Sequence, residues 1–298
     1  MKPAAYRRAS LLAAAVVACA LAGCAGQGPE RPAATPSAPS RTSSPNPGGA
    51  SGRRGTWMLT RSALSRMLSE PAVAAKLERT RIDELLQPGQ QPLSGVDATP
   101  VASFSSVAAL RGALAGNGLP AGTQAILYDP EVWAYTPAAE QRDPVLAAGQ
   151  AARLARSRGL RIIVAPAMNL ATVLDPGSSA PRWQTFLDLR IIGSMARVAG
   201  TVELQAQSLE RDPAAYAAFV REAAVQARAA NPKVTVLAGL STNPPGTAVD
   251  SQQLTAAVQA SRGDVDGYWL NIPGSGPRCP TCNAGQPELG AAVLSSSP

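Results

Sequence analysis

Three carboxyl groups stand in settings suited to chemistry: Asp129 and Glu131 in Tyr128-Asp129-Pro130-Glu131, and Glu203 in Val202-Glu203-Leu204-Gln205-Ala206-Gln207. Two such groups, one kept protonated and one ionised, can protonate a leaving oxygen and stabilise or attack the adjoining carbon, as in cleavage of a glycosidic bond. On this reading Glu131 and Glu203 form the catalytic pair and Asp129 orients Glu131. The 298 residues include no histidine. That removes Ser-His-Asp and Cys-His nucleophile activation and every His-ligated metal site. No Gly-x-Gly-x-x-Gly follows a predicted strand and no Gly-x-x-x-x-Gly-Lys occurs, so dinucleotide and P-loop binding lose their signatures. Neither a metal nor a cofactor is expected.

Polar and aromatic residues recur near the same positions. Trp133 and Tyr135 follow Glu131, and Trp269 and Asn271 stand in Asp266-Gly-Tyr-Trp-Leu-Asn-Ile-Pro273. Asn169 follows Ala165-Pro166, Asn243 closes Ser241-Thr242-Asn243, and Gln205 and Gln207 share a strand face with Glu203. Flat rings and amides together suit sugar faces and hydroxyls. Each residue also has a plainer role open to it. Asp129-Pro130 matches Asp143-Pro144 and Asp212-Pro213, where Asp caps a helix and Pro fills its first turn. Glu203 suits a buried ion pair with Arg161 or Arg190, the Asn and Ser residues suit turns, and the rings suit core packing.

The elements that must position these groups alternate. Short β-rich runs fall at 100–104, 124–128, 161–165, 201–205, 234–238 and 267–272, with 57–59 a doubtful seventh. Helical patterns fall at 61–79, 106–115, 144–158, 182–199, 213–230 and 251–261, the fourth marked by Trp183, Leu187, Ile191, Met195 and Val198 at three- and four-residue spacing. Such alternation predicts an α/β fold, a parallel sheet covered by helices. The length of 56–298 suits a closed (β/α) barrel, irregular or incomplete because only six or seven strands are visible; an open doubly wound sheet is the alternative. In a barrel the strands' carboxyl ends converge, which would gather the groups named above.

The amino terminus reads as an address. Lys2, Arg7 and Arg8 precede the apolar run 11–20, and Leu21-Ala22-Gly23-Cys24 closes it. This resembles the lipobox signal peptide of bacterial lipoproteins. The resemblance implies cleavage before Cys24, acylation of that cysteine, and display on the extracytoplasmic face of the cell membrane through the lipid. Removing residues 1–23 takes three of 27 basic residues and no acidic one, leaving 24 against 20, a net charge of +4. No basic cluster interleaved with aromatics occurs, so nucleic acid is not an expected partner. Residues 24–55 are rich in Pro, Ser, Gly and Thr without apolar periodicity and read as a tether. With Cys24 acylated and Cys19 removed, Cys279 and Cys282 are the remaining thiols. Their Cys-Pro-Thr-Cys lies between Pro277 and Gly285 in turn-forming sequence, which predicts a short-range disulfide in an oxidising compartment.

The strand-end pattern over 99–272 resembles, at the level of fold alone, the glycoside hydrolase barrels. That resemblance implies a cell-surface protein acting on or binding a glycan or cell-wall polymer. A non-catalytic glycan- or peptidoglycan-binding lipoprotein, or a structural one, is the other expectation.

Overall fold

The computed structural model describes residues 55–244, 248–276, 279, 282 and 284–296. The expected signal 1–23, Cys24 and the tether up to residue 54 lie outside these residues. Eight strands, β1 (Thr56–Thr60), β2 (Arg81–Leu86), β3 (Ala98–Phe104), β4 (Ala125–Tyr128), β5 (Arg161–Val164), β6 (Thr201–Leu204), β7 (Thr235–Ser241) and β8 (Gly267–Asn271), close in that order into a parallel barrel. The ring is sealed where Trp57 of β1 lies opposite Tyr268 of β8. The barrel is closed, so the incomplete ring and the open sheet are excluded.

Among the described residues, eleven helices accompany the strands: α1 (Arg61–Met67), α2 (Pro71–Leu77), α3 (Val107–Ala115), α4 (Ala138–Arg142), α5 (Pro144–Arg156), α6 (Ala171–Leu174), α7 (Arg182–Asp188), α8 (Ile191–Ala196), α9 (Pro213–Ala230), α10 (Ser251–Ser261) and α11 (Pro287–Ser296). Their starts follow local chemistry. The Asp143 and Asp212 carboxylates accept from the N–H groups of Leu146 and Ala215 at 3.1 and 3.0 Å, each ahead of a proline in the first turn. Helix α10 opens with a capping box between Asp250 and Gln253. Helix α9 shows why it stays on the barrel: Tyr216, Phe219, Val220, Ala223, Ala224 and Ala227 recur on one face and are buried.

Two helical expectations divide. The run 61–79 is α1 and α2, broken where Pro71 removes a donor and restarts the helix with Glu70 ahead of it. The run 182–199 is α7 and α8, separated at Arg190, whose φ of 52° is left-handed.

The two faces of each strand have distinct duties. Outward side chains join the helix layer, while Met58, Leu85, Val101, Leu127, Ile163 and Leu237 fill the inside of the ring. Polar groups interrupt that interior at two levels. Asp83 of β2 pairs with Arg161 at the amino end of β5, 3.7 Å apart, and Glu203 of β6 is fully enclosed. The Arg161 ion pair expected for Glu203 is therefore made by Asp83 instead.

Candidate functional site

At the carboxyl ends of the strands a cavity of about 490 Å³ opens. This is the end at which barrels of this kind build their sites, because eight loops converge there. Asp129, Glu131 and Trp133 line it from the segment after β4, and Asn169 from the turn after β5. Gln205 and Gln207 contribute from beyond β6, Asn243 from beyond β7, and Trp269 and Asn271 from β8. Nine residues scattered over 140 positions of sequence thus border one hollow.

The acidic segment is held in place first by the Thr136 hydroxyl. Thr136 Oγ1 accepts from the Glu131 N–H at 3.2 Å and from Trp133 Nε1 at 2.8 Å, and donates to the Ser105 carbonyl at 3.0 Å. Gln141 Nε2 ties down the carbonyls of Trp133 and Thr136 at 3.0 and 2.7 Å. Asn169 Oδ1 accepts from the Val132 N–H at 3.0 Å, joining this segment to the next strand end. Residues 129–137 thus form a fastened loop, and Asp129-Pro130 opens no helix there, unlike the other two Asp-Pro pairs. Instead Gln205 Nε2 donates to Asp129 Oδ1 and to the Ala165 carbonyl, both at 2.7 Å, setting the carboxylate's position across the β4–β6 span.

Glu203 sits below rather than beside these groups. It has 0% exposure, neither carboxyl oxygen has a hydrogen-bond partner among the described residues, and it is not part of the cavity wall. Burial, first, and then the nearby Asp129 and Glu131 charges push its pKa well above the ordinary carboxylate value, favouring the protonated form. Space for it comes from Gly239 of β7. A Cβ there would stand 2.5 Å from Glu203 Oε1 and 2.6 Å from Gln207 Nε2, so any larger residue displaces both side chains. The expected pairing of Glu131 with Glu203 across an open cleft is corrected accordingly: without surface, Glu203 cannot touch a molecule in the mouth.

Tyr135 also departs from expectation. It is 46% exposed, lies outside the cavity wall, and meets the edge of Trp133 at 5.0 Å between ring centres. Trp269, by contrast, is almost wholly buried in the floor, and its Nε1 has no partner among the described residues.

Ser241, noted in sequence beside Asn243, also lines the wall; its N–H donates to the buried Glu210 at 2.5 Å, and burial raises that acid's pKa too. Arg182 lines the wall without having been singled out from sequence, disguised as the first residue of a helix. Cys279 and Cys282 form the predicted disulfide, and both line the rim of the cavity after β8. Thr136 carries no sequence signal, because a loop threonine looks like any other.

No protein-family model matches the chain, and no curated protein matches it. Solved barrels resemble it distantly. The spore cortex-lytic enzyme SleL of Bacillus megaterium is 10% identical, over 83% of this chain and 75% of that one, with a TM-score of 0.44. A chitinase from Chromobacterium violaceum is 12% identical over 81% and 98%, also at 0.44. Triosephosphate isomerase from Bartonella henselae is 11% identical over 73% and 92%, at 0.39. Likeness shared equally by a lytic enzyme and an isomerase carries no argument about substrate or reaction.

Proposed function

We propose that the barrel mouth is the carbohydrate site of an exported, lipid-anchored protein, with Glu131 as the acid that protonates a departing glycosidic oxygen. The observation that carries this reading is the gathering of Asp129, Glu131 and two tryptophans with amides from five strand ends around one hollow. Rings supply faces on which a pyranose stacks, amides take its hydroxyls, and a carboxyl group fixed by its own loop meets the bond to be broken. Asp129, held by Gln205, sets the charge beside Glu131. Burial of Glu203 beneath them raises its pKa and so disfavours a further negative charge there.

A second reading, a glycan-binding protein without turnover, is favoured by one specific feature. The described wall contributed by β6, β7 and β8 offers amides and hydroxyls, and no carboxylate faces Asp129 and Glu131 from that side. A covalent intermediate on a carboxylate facing Glu131 from that side therefore has no candidate among the described residues, and Asp129, on the same segment as Glu131, is engaged by Gln205. Attack would have to come from water or from a group of the substrate itself.

The deciding experiment measures both binding and turnover of cell-wall and chromogenic glycosides by the parent domain and by Glu131→Gln. Hydrolysis in the parent that falls by at least about a hundredfold in the variant, with binding kept, fits an acid catalyst. Binding without turnover in the parent supports the second reading, and neither binding nor turnover of any glycan overturns the carbohydrate site altogether.

A further inference from the structure

Arg182 is the single cationic side chain among the described residues of the cavity wall, and it is exposed. It makes no ion pair or hydrogen bond with any described residue. Its position at the start of α7 places it on the β5 side of the mouth, the side that also carries Asn169. There Asn169 spends its Oδ1 on the Val132 N–H, and its Nδ2 donates to no described residue. Donors, one of them charged, therefore face the cavity from this side without acceptors among the described residues.

A neutral sugar does not account for such a group. Hydroxyls are served by the amides already present, whereas a guanidinium presents a planar fork that matches a carboxylate or phosphate. We infer that the mouth selects glycans whose sugars carry a carboxylate, and that Arg182 receives that carboxylate while the sugar ring occupies the hollow beside Glu131. Resting on the carbohydrate reading above, this names its substrate class: acidic sugars, such as those bearing a carboxylate through an ether-linked lactyl group, rather than neutral homopolymers.

The chemistry permits a clean comparison. An N-acetylglucosamine oligomer and an alternating N-acetylglucosamine–N-acetylmuramic acid oligomer of equal length share a backbone and differ by the lactyl carboxylate. We expect the mature domain to bind the acidic oligomer about tenfold more tightly at low salt, in keeping with one charge-assisted contact. The preference should shrink as ionic strength rises, because Arg182 is exposed and screened. Arg182→Gln should bring the acidic oligomer to the affinity of the neutral one, and Arg182→Lys should restore part of the difference. Equal affinity of the parent for the two oligomers overturns the inference and leaves the carbohydrate site standing. Retention of the full preference in Arg182→Gln overturns the assignment to Arg182, and failure of both oligomers to bind overturns the carbohydrate site and this inference together.

Discussion

At the residue scale the most instructive group is Glu203, an acid that sequence reasoning placed in the reaction and the barrel places in the dark. A carboxylic acid with no exposure and no hydrogen-bond partner among the described residues is cheaper to keep neutral than charged. Its folded pKa lies above the unfolded value near 4.5, so folding takes up a proton. The sign follows from linkage. Stability from this group is complete below about pH 4.5 and is lost as pH rises from there towards the folded pKa, by up to about 1.4 kcal/mol per pH unit. Glu203→Gln removes the ionisation while keeping the shape, so the difference in stability between parent and variant should drift in the variant's favour as pH rises above 4.5. Denaturant midpoints across pH 4–9 check this, and parallel curves for the two proteins would mean that Glu203 is charged in the native state. Turnover offers the complementary measurement: an acid remote from substrate predicts a far smaller loss in Glu203→Gln than in Glu131→Gln.

At the scale of elements, the site depends on two backbone details. Gly239 leaves room inside β7 for Glu203 and Gln207 at once, and Thr136 closes the loop that carries Glu131. Gly239→Ala should cost about 1–3 kcal/mol through overpacking and should displace Gln207 in the mouth. Thermal or chemical denaturation measures the first effect and glycan affinity the second; a variant matching the parent in both would show that the side chains yield freely. Particular elements also show where the sequence was readable. Helices α5 and α9 were legible because Asp caps and first-turn prolines agreed with the apolar spacing, α10 because its Asp cap did, and the strand ends of β4, β5, β6, β7 and β8 were legible because apolar runs stop at polar residues. Strand β2 was not. Arg81-Ile82-Asp83-Glu84-Leu85-Leu86 carries adjacent acids that read as helix or surface, but Asp83 turns inward to Arg161 and Glu84 accepts from the Leu93 N–H. Partners distant in sequence made those charges tolerable in a strand, and no local pattern contains them. For the same reason the strand-end polar groups could be gathered in one mouth, while the depth that separates Glu203 from Glu131 could not be read from alternation alone.

At the scale of the whole molecule, the polarity of the barrel decides what an anchored protein can reach. The described chain begins at Gly55, beside the amino end of β1, in the wall of a second cavity of about 950 Å³ that includes Arg81, Asp97, Arg262 and Asp266. The candidate site lies at the other end of the same strands. If Cys24 carries the lipid, the chain that joins it to the barrel enters at Gly55, at the strand ends opposite the mouth. Cys24→Ala should move the protein from the membrane to the soluble fraction while its affinity for a short soluble glycan stays within about twofold of the parent's, since the anchor and the mouth share no residue. Fractionation and a binding titration on both forms check this. Membrane retention of the Cys24→Ala protein would refute the anchor, and a large change in glycan affinity on release would refute the independence of the two ends.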